Sequence, residues 1–479
     1  MRADKEVHDP RNEPHRDPTL TPTQRFDRSI VEGPIGPAVW RLAWPTMLQN
    51  GIAGLQGIID HAMVGHFVGY TGNAAIGVSW QIIIVVIVFI SSLFTGMAVL
   101  VARFAGANEP EKVNRVVYQA FLTALALSAL MAAVGSVAAP TLLGIVNAAP
   151  EVRREALPFL RLMFLGIFGL VMFFMLSGAF RAAGDPRTPL RLGVIMTVLT
   201  VAFNVMLIPA LGTVGAAVGT IASSTIVAVY GVIRLFASGS VIHFTRGMHR
   251  APDLRIIRSL FRFGLPTGIQ GIAMNIAGVL LLRFIGSLDH SAAAQAAYAV
   301  GYAELFSLIT WTSVGLMGAS ATIAGQNLGA GDPERAIHGV AVASRIGLGA
   351  AALIGAIFLA APQYLLAIFG MTDPLVTSIG EQLLRYLSVS GFFITVALCY
   401  TGGLQGTGDT RSPLYISIVT QIVVPIGLCA VLQATQGLQP ADIWLAIVLG
   451  HVTRAALSIL RFRQGRWRHI TVDIEPARP

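Results

Sequence analysis

Charge is what this sequence has least of. Asp, Glu, Lys and Arg make up 12% of its 479 residues, where an ordinary soluble domain carries about 25%. That shortage excludes a conventional water-soluble globule. A single core cannot hide a chain that is 54% hydrophobic with mean hydropathy +0.69, but a bilayer can. Cysteine is nearly absent as well. Cys399 and Cys429 lie inside apolar stretches without metal-ligand or redox spacing, so they read as small hydrophobes. The chain has no Walker A loop, which excludes ATP as its energy source. It also lacks His-Glu-x-x-His, Cys-x-x-Cys and Gly-x-Ser-x-Gly. The expectation is a protein that is not an enzyme and has no cofactor or metal site. Strand-type alternation is missing too, which leaves helices as the spanning structure.

What remains is a series of apolar segments. A span needs about 20 mostly apolar residues, and such segments recur twelve times, centred near 52, 88, 126, 168, 199, 226, 274, 308, 350, 392, 424 and 450. Residues 1–36 form a polar tail rich in Pro, Arg and Asp, with no apolar signal-peptide run and with a stretch from Phe26 to Val31 that suits a short interfacial helix. The net charge of +9 would suggest nucleic acid in a soluble protein. Here the arginines gather in alternate loops instead: Arg103 and Arg115 after the second span, Arg181, Arg187 and Arg191 after the fourth, and Arg246 to Arg262 between the sixth and seventh. Arg335 and Arg345 follow the eighth, Arg411 the tenth, and Arg461 to Arg468 the last. The opposite loops are almost free of them, apart from Arg153 and Arg154. This bias orients a multi-pass protein with both termini cytoplasmic, and its partner is the lipid bilayer rather than nucleic acid.

The sequence repeats itself. "WPTMLQ" at 44–49 parallels "LPTGIQ" at 265–270, with Pro45 and Pro266 separated by 221 positions. "GANEPEK" at 106–112 parallels "GAGDPER" at 329–335 at an offset of 223, and "AGDPRTPL" at 183–190 parallels "TGDTRSPL" at 407–414 at 224. Three matches in one order at a nearly constant offset predict a duplication. Because each unit holds an even number of spans, both units share one orientation, as in parallel-repeat transporters. The predicted layout is a cytoplasmic tail at 1–36, a six-helix lobe at 37–237, a linker at 238–258, a second lobe at 259–465 and a tail at 466–479.

These motifs resemble the multidrug and toxic compound extrusion (MATE) family. The likeness rests on "GPIGPAVWRLAWPTMLQNGIAGLQGIIDHAMVGHFVG" at 33–69 and the paired "VARFAGANEPEK" at 101–112 and "AGQNLGAGDPER" at 324–335. It also rests on "GAFRAAGDPRTPL" at 178–190 and "GGLQGTGDTRSPL" at 402–414. Within the family the chain looks most similar to the branch named for DNA-damage-inducible protein F. The resemblance implies an all-α fold of twelve transmembrane helices in two pseudo-symmetric lobes, in a bacterial inner membrane. It also implies export, by a monomer, of amphipathic or cationic small molecules in exchange for protons or sodium ions. Flippases of lipid-linked precursors share the overall fold and form the alternative.

Asp60 is the first candidate. A carboxylate inside a span costs about 2.5–3.5 kcal/mol on insertion scales, and taking up a proton relieves that cost. The matching aspartate is the coupling residue in the resembled family. Asn204 and Thr220 match further polar members of that cation site, but Ile208 stands where the family has a second carboxylate. One carboxylate favours protons over sodium. Glu304, the other embedded acid, either binds substrate or a second proton, or is a structural carboxyl bonded to Tyr302, Arg283 or a neighbouring helix. Gln49 and Gln270, each four residues after a proline, either line the substrate path or join helices. Tyr298 and Tyr302 are candidate stacking surfaces for a substrate. The Gly184–Asp185 and Gly408–Asp409 steps read as structural turns and helix caps.

Overall fold

In the computed structural model, residues 26–146, 148–237, 241–244, 251–435, 437–472 and 474 are described. Most of the polar tail and about half of the 238–258 linker therefore lie outside the described residues.

The fold is entirely helical among these residues. The first half of the chain runs α1 (Ile35–Phe67), α2 (Tyr70–Gly106), α3 (Pro110–Ile145), α4 (Pro150–Leu165), α5 (Phe168–Ala182), α6 (Arg187–Leu211) and α7 (Thr213–Phe236). The second half runs α8 (Leu254–Gly286), α9 (Ser291–Tyr298), α10 (Ser307–Gly329), α11 (Pro333–Ala360), α12 (Pro362–Ile368), α13 (Pro374–Thr407), α14 (Arg411–Ile418), α15 (Val424–Thr435) and α16 (Pro440–Arg463). Prolines open α3, α4, α11, α12, α13 and α16, where the missing N–H would have had no helical partner.

Among the described residues, ten helical stretches are long and apolar enough to cross a membrane, and the bent pair α4–α5 makes an eleventh. The expected fourth span is therefore a broken one, with a 52° bend at Gly166–Ile167. Gly166 is needed there because a Cβ would run into the side chain of Ile221 on α7. The expected count of twelve is reached only by adding α1. This helix has 33 residues, about 50 Å at 1.5 Å per residue, but Gln49, Asn50, Gln56, Asp60, His61 and His66 make it too polar to rank with the others. At the opposite extreme, α3 and α6 keep only 22% and 17% of their most apolar windows buried, as expected of surfaces that face lipid.

Two large apolar cores hold the bundle. One joins buried residues of α1 to α8, among them Phe94, Phe159, Met172 and Phe180. The other joins residues of α8 to α16, among them Phe306, Phe358, Leu384 and Trp444. The two halves meet where α2 packs on α8 and where α1 and α2 pack on α10. Small residues make this approach possible. A Cβ on Gly96 would lie 2.1 Å from the Leu260 carbonyl oxygen, and one on Gly264 would lie 2.4 Å from that of Ser92. The Gly215 and Gly219 pair serves the α6–α7 contact in the same way.

The duplication is visible in the backbone. Gly106 abuts the Gln326 carbonyl at 1.9 Å from its would-be Cβ, while Gly329 abuts that of Arg103 at 2.0 Å. Each contact is the other with the halves exchanged at an offset of 223, which is the signature of a pseudo-twofold axis. Asn108 takes φ +60 where its counterpart Gly331 takes φ +83, and Gly184 (+93) matches Gly408 (+99). Asn is one of the few side chains that tolerates this region.

The polar stretches that flank the bundle pack, at residues 26–31 and 464–472, more than their polarity suggests. Arg28–Ile30 forms one 3-10 turn capped by Asp27, and Ile30 is buried against α1 and α10. After α16, Trp467 is buried and donates its ring N–H to the Phe462 carbonyl. Arg103 donates to the Ile470 carbonyl at 3.1 Å.

The second half opens with an electrostatic anchor. Asp253 caps α8 through the Arg255 amide and pairs with Arg115 of α3 at 2.5 Å. Burial pushes the Asp253 carboxyl up, but the Arg255 amide and the Arg115 guanidinium outweigh this and hold it below the ordinary carboxylate value. A group whose pKa is lower when folded stabilises the fold above its unfolded pKa of about 3.9, and loses that contribution as pH falls through the folded value. Asp253→Ala should therefore destabilise the protein by about 1 kcal/mol at neutral pH. The gap between variant and wild type should close in acid, which thermal melts at a series of pH values would follow. A gap independent of pH would contradict the assignment.

Candidate functional site

Asp60 lies on α1 two turns before its end, where the helix runs between α6 and α10. Asn204 of α6 is buried and donates its Nδ2 to Asp60 Oδ1 at 2.8 Å. Gln56, one turn earlier on the same face of α1, accepts from Thr197 of α6 at 2.7 Å. A Cβ on Gly219 would sit 2.2 Å from Asn204 Oδ1, so the amide is seated over a glycine of α7. That Oδ1 has no hydrogen-bond partner.

The expected trio is therefore brought together in part. Asp60 and Asn204 meet, whereas Thr220 turns its hydroxyl to the Ala216 carbonyl of its own helix at 3.0 Å. Ile208, on α6 one turn after Asn204, is fully buried. Gln56 completes the cluster. It was missed because a glutamine one turn from a carboxylate has no distinctive pattern in an already polar helix. The seat also predicts an effect. Gly219→Ala should push Asn204 off Asp60 and weaken any coupling through that carboxylate by about tenfold, with Gly219→Ser behaving alike. Unchanged ion dependence of transport in Gly219→Ala would contradict this arrangement.

A cavity of about 340 Å³ lies between the two halves. Phe94, Phe174, Val314 and Met317 give it apolar walls, and Asn50, Ser91, Thr95, Thr322, Gln405 and Arg181 give it polar points. None of Glu304, Gln49, Gln270, Tyr298 and Tyr302 lines it. On α1 the cavity-facing amide is Asn50, which donates to the Trp311 carbonyl, and Gln49, one 100° step away, packs against Gly193 of α6. Gln270 is buried behind the wall, donating to Ser417 at 2.7 Å and accepting from Gln405 at 3.2 Å. It joins helices. Glu304 is exposed on the outside of a π-helical turn (Ala299–Leu305), and among the described residues its carboxylate has neither Tyr302 nor Arg283 as a partner.

Tyr298 and Tyr302 belong to a second cavity of about 270 Å³, inside the second half, with Asn275 and Gln421. They stack in a column that runs Trp444, Tyr298, Tyr302, Phe306, His451. Arg454 is buried beside this column, and among the described residues it has no ion pair and its Nε has no partner. A second π-helical turn, Val419–Val423, precedes Pro425 and carries Gln421.

At the arginine-rich end the cavity is closed. Beyond the glycine contacts of α2 and α10, Thr322 donates to the Arg181 carbonyl and Gln326 to the Ala182 carbonyl at 2.8 Å. Asp185 caps α6 through the amides of Arg187 and Thr188. Asp409 does the same for α14 through Ser412 and is clasped by Arg461 at 2.9 Å. These aspartates are structural, as their Gly-Asp turns suggested. Arg187 and Arg411 make no ion pair among the described residues.

The MatE family model matches this chain twice, over residues 45–206 and 266–431, together more than half its length. The chain belongs to the MatE family. The two matched stretches correspond to the two halves of the duplication. Among curated MatE relatives, the probable multidrug resistance protein NorM of Thermotoga maritima is 26% identical over 440 residues, covering 89% of this chain and 92% of the relative. The probable multidrug resistance protein YpnP of Bacillus subtilis is 24% identical, covering 90% and 95%. A solved outward-facing conformation of a multidrug resistance MATE family transporter aligns with TM-score 0.85 at 21% identity, over 93% of this chain and 98% of that one. A transporter of the MOP superfamily from Pyrococcus furiosus aligns with TM-score 0.84 at 22% identity. This chain is thus a multi-pass MatE-family membrane transporter of small molecules.

Proposed function

We propose that the chain is a proton-coupled exporter of amphipathic small molecules. The observation that carries this is a single carboxylate, Asp60, held by the Asn204 amide inside a helix bundle, with Ile208 where a second acid would stand. One carboxylate balances one proton, whereas a sodium ion favours several oxygens with compensating negative charge. Protonation turns Asp60 from acceptor into donor. Rotating the Asn204 amide then presents Oδ1, which has no partner in the present arrangement, to the new O–H. That switch changes how α1 is held against α6, and we assign the substrate release to it.

The same features support placing the chain in the branch named for DNA-damage-inducible protein F, with Ile208 where the second carboxylate of the resembled cation site would stand. We propose two lobes, 37–237 and 259–465, rocking about the 238–258 connection. The working unit is a monomer in a bacterial inner membrane with both termini cytoplasmic, and no chemical change is made to the substrate. The cavity walls are mostly apolar and carry one arginine, which favours small amphipathic substrates over lipid-linked sugars. In cells lacking other exporters, efflux of an amphipathic dye should stop when an ionophore collapses the proton gradient. It should continue when only the sodium gradient is removed. The reverse pattern would sink the proton reading.

A further inference from the structure

The central cavity carries one full charge, and its sign is positive. Its lining residues include Arg181 and no Asp or Glu. Arg181 sits at the C-terminal end of α5, where the cavity is sealed, so it forms the floor. Its counterpart in the other half, at the same offset of 224 that relates Gly184 to Gly408, is Gln405, which also lines the cavity. The duplication thus places one cation and one neutral amide at equivalent points of the same floor.

The guanidinium is not spent on the fold. Its Nε donates to the Ser177 carbonyl of its own helix at 3.2 Å, and among the described residues no carboxylate pairs with it. A guanidinium offers five N–H donors, and among the described residues only this one is used. Ser91, Thr95 and Thr322 donate to backbone carbonyls, and among the described residues none of them accepts from the guanidinium. A solitary cation at the sealed end of a mostly apolar cavity is costly unless an anion comes to meet it. Arginine is also the side chain best shaped to meet a carboxylate through two parallel hydrogen bonds.

We infer that the site selects amphipathic molecules bearing an anionic group, namely organic acids and zwitterions, with Arg181 holding that group at the floor and Phe94, Phe174 and Met317 holding the apolar body. This inference rests on the export reading above and narrows its substrates. It also disfavours purely cationic compounds, which would meet Arg181 without a compensating carboxylate.

The test is equilibrium binding to the purified full chain, read by fluorescence anisotropy. The probes are a zwitterionic xanthene dye with a free carboxylate and its methyl ester, which is cationic and otherwise the same molecule. Wild type should bind the zwitterion more tightly than the ester by about tenfold or more. Arg181→Gln, which copies the Gln405 half, should lose that preference, and Arg181→Lys should keep part of it. Thermal melts identify any variant that fails to fold. In that event, displacement of the zwitterion from wild type by an aromatic acid but not by its primary amide carries the test. Equal or tighter binding of the ester, binding of neither dye, or a preference that survives in folded Arg181→Gln would overturn the inference. No gradient is involved, so failure here is distinct from failure of proton coupling, which is read only from gradient-driven transport.

Discussion

Asp60→Asn should leave a folded protein that no longer expels its substrates against a gradient. Asparagine keeps the size of the side chain and can still bond the Asn204 amide, so packing between α1 and α6 should survive. It cannot take up or release a proton. Coupled export should therefore fall to background, a loss of at least about a hundredfold if the carboxylate is the sole coupling group. Downhill exchange of labelled substrate should persist, because the cavity is lined by other residues. Asp60→Glu should recover part of the coupling. Resistance and efflux assays, with protein yield and melting temperature as controls, distinguish this from misfolding. Full export by the asparagine variant would remove Asp60 from the mechanism.

The second large effect concerns the closed end. Gly329 and Gly106 let α2 and α10 meet with their backbones in contact, and a Cβ at Gly329 would lie 2.0 Å from the Arg103 carbonyl. Backbone cannot step aside as a flexible side-chain tip can. Gly329→Val should force the two helix ends apart, at about 1–3 kcal/mol of overpacking in this conformation. If the end opens and closes during transport, the variant should sit with it open. Cys399 and Cys429 are buried, so a reporter cysteine at Gln405 on the cavity floor can be read alone. An impermeant maleimide applied from the arginine-rich side should label it slowly in an otherwise wild-type chain and at least about tenfold faster with Gly329→Val, with export nearly lost. Unchanged labelling with normal export would mean that this end is not a gate.

Much of the fold was legible in the sequence because lipid imposes a simple rule. Apolar runs about 20 residues long must be helices, and their centres fall within a few residues of the observed ones. The duplication was legible because turns use a small alphabet. Asn108 and Gly331, or Gly184 and Gly408, reach the left-handed region with the residues that tolerate it. The Asp60–Asn204 pairing followed from family motifs rather than from periodicity. The lining of the cavity was not legible. In a soluble helix a polar stripe marks the wet face, but in a span both the lipid face and the core face are apolar, so the phase of the helix is hidden. Gln49 and Asn50 differ by one step, and only the structure distinguishes the amide against Gly193 from the amide on the cavity. Arg181 was hidden for another reason. It belongs to a run of arginines that marks the cytoplasmic side, and nothing in that run sets apart the one that turns inward.

The most direct test of proton-coupled export uses the purified chain in liposomes, where a pH gradient and a sodium gradient of equal size are imposed in turn. Uptake of the zwitterionic dye and the accompanying change in internal pH are followed together. The account predicts that the pH gradient drives the dye, that protons move the opposite way, and that both fluxes vanish in Asp60→Asn. Dye movement driven by sodium alone, with no proton flux and no sensitivity to Asp60→Asn, would contradict it.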